Sequence, residues 1–297
     1  VSNVSENDAE SNGRTVCFIH GLWMNPLCWE HFQGYFAGKG HEVMAPGWPG
    51  HDGPVEEVRK TAPLRLANLG FAEIVSHFEQ IVRPMDEQPI LIGHSFGGLV
   101  VQILLDRGLG VAGVGIDSAP PKGVHRLPLT QLKALGHAIR RPANRHRVIT
   151  LTFEQFRYGF ANTMAEEEAR EAYRRYSVPD TARPLFQSAL ADFMRDAPTA
   201  VNYGNESRRP LLLIGGGMDH TVPAAVSRSN FHKYRHSSAF TDYHEFANRS
   251  HNIIVEKGWE EVAQYANDWL ESMLRLESSE ELAQARAGVL AANRARE

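Results

Sequence analysis

The sequence predicts an α/β protein built on a doubly wound, mostly parallel sheet with a helical insertion. Three observations carry that expectation. Short apolar runs alternate with helix-period segments from Thr15 to Ile116. The rhythm stops after Pro120-Pro121 and resumes at Pro210-Leu211-Leu212-Leu213-Ile214-Gly215. Within the first part lies Ile90-Leu91-Ile92-Gly93-His94-Ser95-Phe96-Gly97-Gly98-Leu99-Val100, an apolar run, a Gly-x-Ser-x-Gly turn and a helix-compatible run. Such a turn holds a serine hydroxyl at its tip, where backbone angles are strained and side chains on the flanking glycines would collide.

Each element follows in order. Residues 1–13 read as a flexible tail, and Thr15-Val16-Cys17-Phe18-Ile19 as a buried strand ending in His20-Gly21-Leu22-Trp23. Trp29, Phe32, Tyr35 and Phe36 suit a helix packed on a sheet, closed by Gly38 and Gly40. His41 to Ala45 is a second strand, stopped by Pro46-Gly47-Trp48-Pro49-Gly50. Residues 51–63 look irregular. From Leu64 to Val82 the apolar spacing is helical, with Phe71, Ile74, Val75, Phe78, Ile81 and Val82 at three- and four-residue steps. The strand before Ser95, a helix to about Arg107 and a strand from Val111 to Ile116 come next.

Residues 122–209 read as helical, with no convincing strand. Phe153, Phe156, Tyr158, Phe160 and Met164 form one apolar cluster there, and Leu185, Leu190, Phe193 and Met194 a second. After the strand at Pro210, a helix is expected over about 223–234, a strand over about 239–246 and a helix over about 253–274. The implied organisation is a core of 14–121 and 210–276, a helical cap of 122–209 and a C-terminal surface helix of 277–297.

Composition narrows the function classes. The chain has 297 residues, 42% hydrophobic and 22% charged, which suits a globular protein with a sizeable core. A net charge of -4 argues against a nucleic-acid partner. No apolar stretch approaches the ~20 residues of a membrane span. Cys17 and Cys28 read as buried thiols, and no secretory signal is visible, so the expected location is the cytoplasm.

Doubly wound sheets carry their active groups at the carboxyl ends of the strands. Besides Ser95, three such ends stand out: His20-Gly21-Leu22, Gly216-Gly217-Met218-Asp219-His220-Thr221-Val222-Pro223, and Asn248-Arg249-Ser250-His251-Asn252. A serine hydroxyl needs a general base, the base needs a carboxylate to fix its tautomer, and the oxyanion needs preorganised N–H donors. The chain offers these parts in the order Ser, Asp, His.

On these motifs, with Phe18-Ile19-His20-Gly21, the sequence resembles the α/β-hydrolase superfamily in its capped, esterase- or lipase-like branch. The resemblance runs from about Thr15 to Leu274. It implies the α/β-hydrolase fold with a helical cap inserted after the sixth strand. It further implies Ser95 as nucleophile, Asp219 as acid and His251 as base, with the backbone N–H groups of Leu22 and Phe96 as oxyanion hole. Asp117, in Gly115-Ile116-Asp117-Ser118, also ends a strand and is the alternative acid, although Asp219 sits in the fuller motif.

The expected reaction is hydrolysis of a carboxylic ester of a small to medium apolar molecule, with no cofactor and no metal. Trp23, Met24, Phe96, Phe153, Phe156, Phe160 and Met164 are candidate pocket walls, or else the core of the cap itself. Lactone or amide hydrolysis on the same residues is an alternative, and a ligand receptor on the same fold is another. Plant-type hydroxynitrile lyases carry a lysine after the base, where this chain has Asn252. Gly108-Leu109-Gly110-Val111-Ala112-Gly113 matches a dinucleotide pattern, but it follows a helix and enters a strand, the reverse of the required order. His232 and His236 have no evident third metal ligand. The basic run Arg140, Arg141, Arg145, His146 and Arg147 either greets an anionic substrate or faces solvent.

Overall fold

Apolar runs of four to six residues, buried on both faces, dictate the centre of the molecule. The structure, a computed structural model, describes residues 13–51 and 53–277. The first half runs β1 (Gly13–Ile19), α1 (Glu30–Gly38), β2 (His41–Met44), α2 (Val55–Arg65), α3 (Phe71–Val82), β3 (Ile90–His94), α4 (Phe96–Asp106) and β4 (Ala112–Ile116). An insertion follows with α5 (Leu129–Ile139), β5 (Val148–Ile149), α6 (Phe153–Gly159), α7 (Glu166–Tyr176), β6 (Asp180–Thr181) and α8 (Arg183–Ala189). The chain returns through β7 (Leu211–Gly216), α9 (Ala224–Lys233), β8 (Thr241–Phe246) and α10 (Trp259–Glu277).

Among the described residues six strands form one sheet in the order β2-β1-β3-β4-β7-β8. Its pairings are parallel, with registers such as Ile19↔Gly93, His94↔Ile116 and Gly216↔Phe246. The chain steps from β1 outward to β2 and then crosses to β3 on the other side of β1. The loops leaving β1 and β3 therefore diverge, and a crevice opens between them at the carboxyl end of the sheet. Helices cover the sheet, with α4 and α10 both against β4, α3 beside α4 and α1 beside α10.

Local sequence explains most boundaries. In α3, Phe71, Ile74, Val75, Phe78 and Val82 are buried at helical spacing. Thr152 and Gln155 form a reciprocal capping box that starts α6. Three glutamates open α7 and two arginines close it, as the helix dipole favours.

Several expectations are corrected. The stretch 51–63 is not irregular, because α2 begins at Val55 behind an extended Pro54. Its first turn carries Glu56 and Glu57, and buried Val58 and Ala62 sit among charged residues, too sparse a pattern to read as an apolar period. The helical run from Leu64 is therefore two helices, interrupted before Gly70. The last helix starts at Trp259 rather than about 253, after Gly258 at φ +86°. The insertion is not free of strands, since β5 and β6 pair antiparallel over two residues, too few to leave a period. It follows β4, the fourth strand of the sheet rather than a sixth, because only β1, β2 and β3 precede β4 among the described residues. Leu190, Phe193 and Met194 do not cluster inside with buried Leu185 but are exposed. The tail 1–13, apart from Gly13, and the helix 277–297, apart from Glu277, lie outside the described residues.

The insertion is stitched to the loop after β1. Trp23 adopts φ +63°, rare for a large side chain. Its N–H donates to Asp180 Oδ2 at 3.1 Å, its carbonyl accepts from Val178 N–H at 3.0 Å, and its indole N–H donates to the Ile149 carbonyl at 3.1 Å. Asp180 Oδ1 also accepts from the Thr181 N–H at 2.7 Å. Burial pushes the Asp180 carboxyl up to about 8. Beside it, His51 Nε2 lies 3.7 Å from Asp180 Oδ1, and burial followed by neighbouring His20 holds that imidazole well below its usual range.

Two outcomes are expected. Gly97→Ala should destabilise by about 3 kcal/mol or more in urea unfolding. A Cβ there would lie 2.7 Å from the His20 carbonyl oxygen and closer still to that of Ile19, both backbone atoms. The second concerns pH. A carboxyl raised in the native state keeps a proton that the unfolded chain releases above about pH 4, so its contribution to stability falls as pH rises from there toward 8. In Asp180→Asn that contribution is absent. Urea midpoints at pH 5 to 8 should show the parent losing stability relative to the variant, by at most about 1.4 kcal/mol per pH unit. A constant difference across that range would contradict the assignment.

Candidate active site

Ser95 follows β3 directly and opens α4 at φ +55° and ψ -120°. Its N–H donates to the Ile116 carbonyl at 2.9 Å, and its own carbonyl accepts from Leu99 and Ala119 N–H groups. The turn is fixed on both sides. Helix α4 approaches β1 through Gly97, and a Cβ on Gly21 would come 2.7 Å from Ser95 Cβ. The loop after β1 and the turn after β3 are thus in direct backbone contact. Leu22 and Phe96 flank that contact, and neither backbone N–H has an acceptor among the described residues.

Asp219 comes three residues after β7, in a turn that its own side chain holds. Its Oδ1 accepts from the Thr221 and Val222 N–H groups at 2.6 and 2.9 Å. Its Oδ2 accepts from His251 Nδ1 at 2.6 Å. That bond fixes the His251 tautomer with the proton on Nδ1 and the lone pair on Nε2. His251 is fully buried, and its Nε2 has no partner among the described residues. Its ring stands 4.8 Å from the Phe160 ring and 4.6 Å from that of His94.

Asp117, the alternative acid, ends β4 at φ +43°. Its Oδ1 accepts from the Gly216 N–H at 2.6 Å. Burial first, and the neighbouring Asp219 carboxylate second, push its carboxyl well above the usual carboxylate range. His94, Asp117 and His251 bring polar atoms within 4.8 Å of one another. His94 Nε2 donates to the His251 carbonyl at 2.7 Å, and burial, then His251, hold the His94 imidazole well below its usual range. His94 is therefore neutral and supports the loop that carries His251.

A cavity of about 280 Å³ opens above Ser95. Of the expected walls, Trp23, Phe96 and Phe160 line it. Met24, Phe153, Phe156 and Met164 do not, for reasons of packing. Phe156 is fully buried and stacks on Phe160 from behind, 5.3 Å between centroids, and Phe153 packs on Tyr173. Met24 is fully buried, and Met164 Sδ accepts from Asn252 Nδ2 at 3.5 Å. Leu22, Ala119, Leu135, Ile139 and Val222 add apolar wall, Gln131, Thr221 and Ser188 add polar groups, and His125, Arg126 and Asp192 also line the cavity.

Three supporting groups went unread in the sequence. Glu256 accepts from both the N–H and the hydroxyl of Ser250 and from Thr163, and so braces the residue before His251. The carbonyls of Tyr158, Gly159 and Phe160, at the end of α6, accept from His220 Nδ1, Thr221 Oγ1 and Asn252 N–H. Gln131, nearly fully buried, lines the cavity. The α6 carbonyls lie about sixty residues or more from their partners, and neither Glu256 nor Gln131 stands in a motif that announces it.

Comparison with known proteins agrees with this architecture. The alpha/beta hydrolase family model matches residues 18–265. No curated protein matches the chain by sequence. Among solved structures, an extracellular alpha/beta-hydrolase from a Paenibacillus species, described as homologous to tobacco salicylic acid binding protein 2, has TM-score 0.59 and 23% identity, covering 84% of this chain and 96% of its own. A monoacylglycerol lipase from Paleococcus ferrophilus has TM-score 0.59 and 20% identity, covering 87% and 94%. A methylesterase from Arabidopsis has TM-score 0.60 and 13% identity, covering 87% and 99%. At such identities the likeness is one of fold. The family match itself runs from within β1 into α10, through all six strands, and the chain belongs to the alpha/beta hydrolase family.

Proposed function

We propose that the chain hydrolyses a carboxylic ester of a small to medium apolar molecule, with Ser95 as nucleophile, His251 as base and Asp219 as acid. One observation supports this above the rest. The Asp219 carboxylate holds His251 Nδ1 at 2.6 Å and leaves Nε2 unpartnered, while Ser95 lines the cavity at the end of β3. In this reading residues 14–121 and 210–276 are the catalytic core and 122–209 a cap. Cys17 and Cys28, both free and buried, suit the reducing cytoplasm expected from the sequence.

Ser95 Oγ attacks the ester carbonyl as its proton passes to His251 Nε2. Asp219 stabilises the imidazolium. The oxyanion accepts from the N–H groups of Leu22 and Phe96, both without another acceptor among the described residues. His251 returns the proton to the leaving alkoxide, and the alcohol departs from a Ser95 acyl ester. Water then loses a proton to Nε2 and attacks that ester, and collapse frees the acid and restores the serine. Each step combines acyl transfer at Ser95 with proton transfer through His251.

The two carboxyls divide the work. Two adjacent buried carboxyls resist sharing two negative charges. Burial and its neighbour push the Asp117 carboxyl toward its neutral form, and Asp219 is the carboxyl that meets His251.

The test is hydrolysis of p-nitrophenyl esters from acetyl to palmitoyl. The parent should cleave short and medium chains best, in keeping with a cavity of about 280 Å³. Ser95→Ala should lose roughly a million-fold in turnover and Asp219→Asn about ten-thousand-fold. Asp117→Asn, which copies a neutral carboxyl, should stay within about tenfold of the parent. An inactive Asp117→Asn beside an active Asp219→Asn would reverse the acid assignment. Tight retention of a ligand without turnover would favour a receptor.

A further inference from the structure

The chain carries a net charge of -4, yet residues 119–153 contain no aspartate or glutamate and hold Lys122, Arg126, Lys133, Arg140, Arg141, Arg145 and Arg147. Many arginines elsewhere on the surface are paired, as in Arg107 with Glu79, Arg175 with Glu30 and Arg249 with Glu261. Arg126, Arg140, Arg141, Arg145 and Arg147 are exposed, and none has a carboxylate partner among the described residues. Leaving five guanidinium groups unpaired on one stretch of an acidic protein builds a local positive field.

The same region carries most of the exposed bulky apolar side chains. Phe193 is 88% exposed, Leu129 83%, Leu127 66% and Leu190 52%. They converge with the cations. His125 Nδ1 lies 3.2 Å from Asp192 Oδ2, Gly123 N–H donates to Asp192 Oδ1, and Lys122 Nζ donates to the Met194 carbonyl. Beside them a groove combines Arg145, His146 and Arg183 with Phe186, Leu190 and Met194. Arg126, Leu127 and Asp192 also line the cavity above Ser95. Arg126 and Leu127 thus border the cavity itself, and Arg145 and Leu190 border the neighbouring groove.

We propose that this face docks on an anionic phospholipid bilayer, with the cavity mouth turned toward the lipid. Phe193, Leu129 and Leu127 enter the interfacial layer, and the arginines meet the lipid phosphates, which supply the missing anions. A second copy of this face is the wrong partner, because an isologous contact would set its unpaired cations against one another. The consequence for substrate rests on the proposed function: apolar esters dissolved in the bilayer reach Ser95 without crossing water.

The experiment uses the full chain carrying Ser95→Ala, so that ester cleavage plays no part. Co-sedimentation is measured with vesicles of phosphatidylcholine alone and with phosphatidylglycerol added. Binding is expected only with phosphatidylglycerol, and it should weaken strongly at about 0.5 M NaCl. Leu129→Asp with Phe193→Asp, and separately Arg140, Arg141, Arg145 and Arg147 all replaced by Gln, should each lower binding by roughly tenfold or more. With Ser95 intact, both variants should match the parent on a soluble short-chain ester, which shows that they fold. No binding to phosphatidylglycerol vesicles at low salt overturns the proposal, as does equal binding by the variants. A parent that is dimeric in solution and becomes monomeric on Phe193→Asp would assign the patch to a second copy instead. If no ester is cleaved by the parent, the proposed function falls while the vesicle result still stands.

Discussion

Helix α4 comes so close to strand β1 that no side-chain atom fits between them. Gly97 passes under the carbonyls of Ile19 and His20, and Gly21 abuts Ser95 Cβ. At that separation the turn between β3 and α4 cannot relax without moving the end of β1. Ser95 therefore keeps φ +55°, a region that a serine adopts only when its surroundings compel it. The strain has a geometric product. Ser95 is held at the end of β3, where it lines the cavity together with Leu22 and Phe96.

The insertion reaches this site from two directions. Residues 147–181 hold Trp23 by its N–H, its carbonyl and its indole, and so set the loop after β1. The end of α6 does the same for the loops after β7 and β8. A helix leaves its last carbonyls without intrahelical partners. Here those of Tyr158, Gly159 and Phe160 are satisfied by His220, Thr221 and Asn252, the neighbours of Asp219 and His251. A tilt of α6 would break three hydrogen bonds at once and shift the pair whose 2.6 Å contact orients His251. The wall of the cavity and the orientation of the histidine are thus a single mechanical unit.

Much of this was legible in the sequence, and the boundary of legibility has a physical cause. Ser95, Asp219 and His251 each follow a strand within a short stretch dense in glycine and polar residues, so local chemistry marked them. The sheet was legible because its strands are short apolar runs. Helix α2 was not, because Glu56, Glu57, Arg59 and Lys60 crowd its first half and leave no apolar period to detect. Asp180 was not, because its partners Trp23 and His51 are more than a hundred residues away. Aromatic composition also misled. Phe153, Phe156 and Met164 looked like pocket wall, but they fill the inside of the insertion, and only Phe160 of that cluster turns to the cavity. Residue type reports that a side chain is buried, and not against which neighbour.

Net charge misleads for the same reason, since it averages over surfaces that do not act together. A value of -4 describes a chain whose cations elsewhere are largely neutralised by near neighbours, such as Arg107 and Arg83 on Glu79. An ion pair of that kind has little field beyond its own length in salt solution. The arginines of 126–147 have no such neighbours among the described residues, and their fields add. That stretch of the insertion is therefore positive on a protein that is negative overall. Electrostatic attraction depends on the charges within about 10 Å of the approaching group. Arg126 and exposed Leu127 are the members of that stretch that also line the cavity, so charge and apolar surface meet at its edge.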